Sequence, residues 1–308
     1  MKDKKDNYLD SDYELDFKEF FYVLLDAKWL IISLTTFISI IAVLYSLMLP
    51  NIYKSQALLS PTDASSGISR SLRGYSGLAS LAGVSLPSGD TDSNSAKAIK
   101  KLNSLSFFEF NILPKIFLPN LMAVKSWDAN TNSIIYDSSL YNDTANVWVR
   151  DFSYPQKQIP SAQESFEVFK EILSISSDDE TGFVSISIKH QSPLIAKEWT
   201  NLVISEINSY YRKKDKLESQ TSVDFLNAEI AKTSLSQVKE VIAELLQEET
   251  QKLALVEAKE FYVFDYIDPP SVMEKKAEPK RALICIFGAF LGLMLGMLIV
   301  LVRHYVLK

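Results

Sequence analysis

The sequence predicts an α+β membrane protein: two transmembrane helices flank a periplasmic α/β base domain that carries a long helical protrusion. Two uncharged runs, 29–49 and 282–302, indicate the transmembrane helices. Each would be about 32 Å long and would match a hydrocarbon core of roughly 30 Å. Short segments with strand character at 52–60 and 173–189 indicate the sheet. The protrusion is predicted over about 192–260, which contains no glycine and no proline after Pro193.

Each apolar run has an alternative interpretation. Either run could be the buried core helix of a soluble protein, although such helices rarely stay uncharged on every face for this length. The run 29–49 could also be a cleaved signal peptide. It begins late for such a peptide and lacks a small-x-small cleavage site, so a transmembrane helix is favoured.

Two spans place residues 50–281 on one side of the membrane and both tails on the other. The tails, 1–28 and 303–308, are predicted to be cytoplasmic, and the apolar spacing late in the first tail predicts an interfacial helix. Flanking charge alone does not decide the orientation, because basic residues lie on both sides: Lys18, Lys28, Arg303 and Lys308 on one, and Lys275, Lys276, Lys280 and Arg281 on the other. Long domains translocate largely regardless of charge, which favours an exported domain.

The base domain is predicted from three separate parts of the chain, 50–61, 161–191 and 261–270. The first and last strands, 52–60 and 261–268, are each tied closely to a span, so they should join the 173–189 hairpin in one sheet. Other predicted elements are a Ser/Gly/Asp-rich loop at 62–92 with an apolar segment Gly77–Leu86, helices at 93–105 and 107–116 (the latter capped by Ser106), and a helix opened by the capping box Ser161–Glu164. Residues 119–160 have no clear period.

The predicted protrusion divides at Thr233–Ser234 into two helical arms. The first arm opens at Ser192–Pro193, because proline is favoured at the first helical position. The second arm has an apolar stripe that is too long for a small base domain to bury. It should therefore pack partly on the first arm and partly on neighbouring copies, through Val238, Ile242, Leu245 and Leu246.

Composition and residue types argue against catalysis and against nucleic-acid binding. A net charge of −6 is not that of a nucleic-acid-binding protein. The only cysteine, Cys285, lies in the second span, and the histidines are His190 and His304. The exported domain therefore has no disulfide, no thiol nucleophile and no two-histidine metal site, and no cofactor is expected. The acidic run Asp178–Glu180 is interpreted as solvated charge.

Motifs towards the end of the chain resemble a known family. The segments YVFDYIDPP (262–270) and EPKRALI (278–284) precede a glycine-bearing span. With the two terminal spans and the long helix, they are similar to the Wzz-type polysaccharide co-polymerases, the chain-length determinants of bacterial surface polysaccharides. GLASLAGVSLPSG (77–89) is also similar to a segment after the first strand in that family. The proline-rich segment is thin here, with only Pro269, Pro270 and Pro279, which leaves the pathway branch open.

The resemblance implies a non-enzymatic inner-membrane protein whose periplasmic domains form a closed homo-oligomeric ring. Such a ring would work with a membrane polymerase on a lipid-linked glycan and set the length of O-antigen, capsule or exopolysaccharide. Two alternatives remain open. The chain could be a component of polysaccharide export, or the membrane activator of a separate tyrosine autokinase.

Two further sets of residues are predicted to be functional. Gly288, Gly292 and Gly296 are spaced four apart, so they share one helix face where another helix can approach closely. That helix could be the first span, a neighbouring copy or the polymerase. The second set is a membrane-proximal motif whose basic residues could meet lipid phosphates or act only as a stop-transfer flank: Pro269, Pro270, Pro279, Lys280 and Arg281.

Overall fold

The computed structural model describes residues 17–62, 94–259 and 261–305, with side chains in the first range from Tyr22 onward. In chain order the elements are α1 (Phe17–Asp26), α2 (Lys28–Met48), β1 (Tyr53–Pro61), α3 (Asn94–Leu102), α4 (Leu105–Phe107), α5 (Leu118–Met122), β2 (Val124–Asp128), β3 (Ser133–Tyr136), β4 (Tyr141–Asn142), β5 (Val147–Trp148), α6 (Ala162–Ile172), β6 (Leu173–Ser177), β7 (Val184–His190), α7 (Pro193–Lys232), α8 (Ser236–Ala258), β8 (Phe264–Asp268) and α9 (Arg281–Tyr305). The predicted loop segment Gly77–Leu86 lies outside the described residues.

The chain forms two compact units, and the first contains the apolar helices. It comprises residues 1–50 and 278–308, and the second comprises residues 51–277. In the first unit α2 and α9 pack along each other, and α1 contacts both. Both α2 and α9 are long and apolar enough to cross a membrane. Only 6% of the most apolar window of α2 and 17% of that of α9 are buried, whereas the core helix of a soluble protein is mostly buried.

The second unit is built on a four-stranded sheet in the order β6-β7-β1-β8. Every neighbouring pair in this sheet is antiparallel. The prediction that the first and last strands join the hairpin in one sheet is confirmed. β1 extends one residue beyond the predicted strand, since Pro61 lies opposite Phe264 at its end, where a missing N–H does not interrupt the ladder.

Helices cover one face of this sheet and close the core. Ala57 and Leu59 of β1 and Ile186 and Ile188 of β7 are fully buried, because alternate residues of each strand point to the same face. Trp199 of α7 belongs to the same cluster, as do side chains from α3, the 107–112 segment and α6.

The long helical stretch has the predicted break. α7 runs for 40 residues, about 60 Å, and the chain is non-helical only at 233–235 before α8 begins. α8 packs back along α7, so that Lys216 of α7 and Glu257 near the end of α8 form an ion pair of 2.6 Å. The two arms are therefore antiparallel.

Two local predictions were wrong. The predicted cap Ser106 is replaced by Ser104, whose Oγ accepts the N–H of Phe107 at 3.3 Å. The helix predicted over 107–116 becomes one α-helical turn, a π-helical segment Phe108–Ile112 and a 3-10 turn Leu113–Lys115. Pro114 explains the change, because its ring excludes the regular i−4 hydrogen bond.

The last strand begins later than predicted. β8 starts at Phe264, whereas the sequence predicts a strand from Phe261. The N–H of Val263 is bonded to the side-chain Oδ1 of Asn208 at 2.7 Å. The N–H of Phe264 donates to the same oxygen at 2.9 Å, so a side chain of α7 holds the start of β8, and the pairing of β8 with β1 has a register shift between Leu58 and Leu59.

Candidate functional site

The three glycines of α9 face α2 within the first unit. A Cβ added at Gly288 would overlap the Cβ of Ala42, far inside van der Waals contact. At Gly292 it would lie 3.0 Å from Cα of Thr35, and at Gly296 it would lie 3.2 Å from a methyl carbon of Ile31. The sequence left three candidate partners for the glycine face. The structure shows that α2 of the same chain covers it.

The matching face of α2 is made of residues that permit this close approach. Ala42 is small, and the hydroxyl of Thr35 donates to the carbonyl of Ile31 at 2.8 Å, so it needs no partner on α9. A side chain larger than hydrogen at the glycine positions would push the two backbones apart. The close contact thus depends on both helices.

The membrane-proximal motif is divided between the two units. Pro269 and Pro270 follow β8 in the second unit, where Pro270 is buried and Pro269 is exposed. Pro279, Lys280 and Arg281 belong to the first unit. The first two prolines therefore follow the last strand, whereas the other three residues lie at the start of α9.

The chain between these two groups of prolines is tied to the start of β1. The hydroxyl of Ser55 donates to the carbonyl of Ser271 at 2.8 Å, and the N–H of Ala277 donates to the carbonyl of Ile52 at 2.8 Å. Residues that enter and leave the second unit therefore lie side by side within it.

The apolar stripe of α8 has two faces. Ile242 and Val256 are buried, and Leu246 is half-buried, in the helix that packs on α7. Val238 and Leu245 are exposed. With other exposed apolar side chains they form a surface that we call the outer stripe: Leu235, Val238, Val241 and Leu245.

A buried asparagine that sequence reasoning missed fixes α7 to the end of the sheet. The Oδ1 atom of Asn208 accepts the N–H groups of Val263 at 2.7 Å and Phe264 at 2.9 Å, and its Nδ2 donates to the carbonyl of Phe264 at 3.0 Å. About two turns further on, Asp215 accepts the hydroxyl of Tyr262 at 2.6 Å. The sequence did contain a signal for a buried asparagine, because Asn208 lies among the apolar positions of Val203–Tyr211.

Histidine and acidic residues in the second unit have structural partners. Nδ1 of His190 accepts the N–H of Ser192 at 2.9 Å, and its Nε2 donates to the carbonyl of Asn120 at 2.9 Å, so the ring is neutral; burial lowers its pKa. In the β6–β7 turn, the backbone N–H of Glu180 lowers the pKa of Asp178. Over the described ranges, no three His, Cys, Asp or Glu residues are grouped so that they could hold a metal ion.

The solved structures that align with the chain include two polysaccharide co-polymerases. A full-length bacterial polysaccharide co-polymerase aligns at 15% identity with a TM-score of 0.39, covering 94% of this chain and 98% of that one. A fragment of WzzB, a polysaccharide co-polymerase from Salmonella Typhimurium, aligns at 12% identity with a TM-score of 0.29, covering 74% and 100% respectively. No curated protein sequence matches the chain.

Two family models match the chain. The model described as "Wzz: Chain length determinant protein" matches residues 13–108, which include α2 and β1. The model described as "GNVR: G-rich domain on putative tyrosine kinase" matches residues 235–305, which include α8, β8 and α9. Together they cover more than half of the chain and both of its apolar helices. The chain therefore contains a Wzz chain length determinant domain followed by a GNVR domain.

Proposed function

We propose that this protein regulates the chain length of a bacterial surface polysaccharide (O-antigen, capsule or exopolysaccharide) and does not itself form glycosidic bonds. The match of residues 13–108 to the chain length determinant model carries this proposal. Co-polymerases of the Wzz family are regulators rather than catalysts.

The proposed location is the bacterial inner membrane, with the second unit in the periplasm. α2 and α9 would cross the bilayer, and the tails 1–28 and 303–308 would be cytoplasmic. The length, hydropathy and low burial of α2 and α9 support their crossing of the bilayer. The glycine face would hold the two spans together. Lys280 is exposed at the start of α9, where it could meet lipid phosphates.

The proposed working form is a closed ring of several copies that acts with a membrane polymerase on a lipid-linked glycan. The outer stripe supports assembly, because α7 leaves its side chains uncovered and such apolar side chains are commonly covered by association. Repeated copies would place several glycan-facing surfaces around one growing polymer.

A second candidate function is that of membrane partner to a separate tyrosine kinase. The model that matches residues 235–305 is described from such kinases, which favours this candidate over an export role. Both candidates use the same two spans and exported unit. They differ in the partner that acts with the chain.

Deletion of the gene, with the polymerase intact, tests the proposed function. We expect the repeat units to remain unchanged and their number per chain to become broadly scattered on gel electrophoresis, with complementation by the full-length chain restoring a modal length. Complete loss of polymer would contradict the regulator proposal. Loss of tyrosine phosphorylation in the same strain, with an unchanged length distribution, would support the second candidate instead.

A further inference from the structure

A large open cavity lies within the first unit, where α1, the beginning of α2 and the end of α9 come together. Its volume is about 1310 Å³. The apolar part of its lining includes Val23, Leu30 and Val300, one from each helix. Tyr22 and Trp29 are also in the lining, and both side chains are largely exposed. Tyrosine and tryptophan of this kind are enriched where a membrane meets water.

The cavity also contains two opposite charges that do not neutralise each other. Asp26 at the end of α1 and Arg303 near the end of α9 both line it. Neither forms an ion pair with any residue that the structure describes. A carboxylate and a guanidinium thus face one space while remaining too far apart to bond directly. A group placed between them would meet both charges if it were itself dipolar.

We propose that this cavity binds one phospholipid of the phosphatidylethanolamine class, whose head group joins a phosphate to a primary ammonium. Arg303 would bind the phosphate, since the planar guanidinium donates two parallel hydrogen bonds to such oxygens. Asp26 would accept hydrogen bonds from the ammonium. The acyl chains would lie against the apolar lining. The proposal depends on the membrane placement proposed above and is independent of chain-length control.

The lining discriminates between common head groups. Phosphatidylglycerol has the phosphate but no cation, so Asp26 would be left facing an anion. Phosphatidylcholine has a cation, but its methylated nitrogen has no N–H to donate to the carboxylate. The ammonium of phosphatidylethanolamine can donate a charge-assisted hydrogen bond that phosphatidylcholine lacks. We therefore expect about tenfold tighter binding of phosphatidylethanolamine than of phosphatidylcholine.

Native mass spectrometry of the full-length protein in mild detergent tests the site. Phosphatidylethanolamine, phosphatidylglycerol and phosphatidylcholine with identical acyl chains are added in turn, and the bound fraction of each is measured. Asp26→Asn should abolish the preference for phosphatidylethanolamine while leaving binding of the other two unchanged. Arg303→Gln should weaken binding of all three about tenfold, and Arg303→Lys should recover part of it.

The matched control is Lys28→Gln. Lys28 is exposed at the start of α2, close in sequence to Asp26, but does not line the cavity. Removal of this charge should leave the lipid preference unchanged. If Lys28→Gln weakens lipid binding as much as Arg303→Gln does, binding reflects general attraction to surface charge, and the proposal is overturned. Equal binding of the three lipids, or preference for phosphatidylglycerol, would also overturn it. Asp26→Glu keeps the carboxylate and should keep the preference for phosphatidylethanolamine. It therefore checks that a loss of selectivity in Asp26→Asn is not caused by misfolding.

Discussion

The two halves of α7 differ in how their apolar residues are covered. Between Pro193 and Tyr211 the helix lies on the sheet and buries Ala196, Trp199, Val203, Ile204 and Ile207, among others. From Arg212 to Lys232, a part that is described throughout, only Ser219 is buried. Leu217 and Phe225 are exposed there. One continuous helix thus passes from a complete protein core to a surface that a single chain leaves open.

The two halves also differ in their polar contacts. The sheet-bound half is held by Asn208 through three hydrogen bonds to Val263 and Phe264, all buried. The polar contacts of the outer half include the partly buried hydrogen bond from Tyr262 to Asp215 and the exposed ion pair Lys216–Glu257, and exposed ion pairs contribute little to stability. The difference teaches that stability within one chain is concentrated near the sheet. The outer arms gain their remaining stability from helix formation and from the packing of α8 on α7, where Ile242 is buried.

The strongest test of this comparison is Asn208→Leu. The substitution leaves the buried N–H groups of Val263 and Phe264 without their acceptor, and each such loss costs about 1–3 kcal/mol. We expect the free energy of unfolding to fall by about 3 kcal/mol, measured by urea denaturation followed by tryptophan fluorescence. Asn227→Leu, at an exposed site in the outer half, should change it by less than about 0.5 kcal/mol. Equal effects would show that the two halves do not differ.

The glycine face is a second contact completed within one chain, and Gly292→Leu tests it. The new side chain would have to begin 3.0 Å from Cα of Thr35, so α2 and α9 must separate. Overpacking typically costs about 1–3 kcal/mol. We expect lower thermal stability of the helix pair in detergent and a degraded length distribution, while membrane insertion and ring assembly persist.

The control for the glycine substitution is Leu293→Ala, because Leu293 is exposed on another face of α9. It should be nearly silent in both measurements. If Gly292→Leu has wild-type stability and a wild-type length distribution, the glycines are only the ordinary background of an apolar helix.

The parts of the fold that sequence predicted have strong periodic or compositional signals. The absence of glycine and proline after Pro193 predicted both long helices, and the capping box predicted the start of α6, where Ser161 Oγ accepts the N–H of Glu164. The β6–β7 hairpin followed from alternation on both sides of a polar turn. These signals are local, so no knowledge of tertiary contacts was needed.

The parts that sequence missed depend on short pairing or on the position of another element. β4 and β5 pair only over Tyr141–Trp148 and Asn142–Val147, too few residues for a period. Their turn uses Asn146 at a φ of 52°, which asparagine tolerates better than most residues. Similarly, adjacent Val241 and Ile242 are equally apolar. Which of them faces inward is decided by where α7 lies, and the sequence of α8 alone does not contain that information.

His190 gives a smaller, pH-dependent test at the sheet end of α7. Its neutral ring accepts the N–H of Ser192, the N-cap of α7, and burial lowers its pKa below the ordinary value of 6.5. The unfolded chain binds the proton more readily than the folded chain does. The stability contributed by the neutral, buried ring is therefore complete above pH 6.5 and is lost as the pH falls below that value. We expect urea stability to decline from pH 6.5 to pH 5.

His190→Gln should remove the slope in that interval, since glutamine has no proton to gain there. The contribution of Glu164, whose pKa is lowered by its hydrogen bond from Arg150, is lost only at more acidic pH and does not interfere. His304→Gln changes the other histidine of the chain and serves as the control. A slope that persists in the His190→Gln protein would assign it to other groups.

The smallest effect on folding, and the sharpest test of the open surface, is expected for Leu245→Glu. Leu245 is 45% exposed in the outer stripe, so a charge there remains solvated and should change the free energy of unfolding by less than about 0.5 kcal/mol. In an assembled ring the same charge would be buried against a neighbour without a partner, which is costly. Sedimentation and crosslinking in detergent should therefore show smaller assemblies.

The matched substitution is Ile242→Glu, because Ile242 is only 8% exposed and the new charge would be buried within the chain. It should lower the unfolding free energy by at least about 3 kcal/mol. If Leu245→Glu leaves assembly unchanged, the outer stripe is solvent-exposed in the working protein and the subunits meet elsewhere.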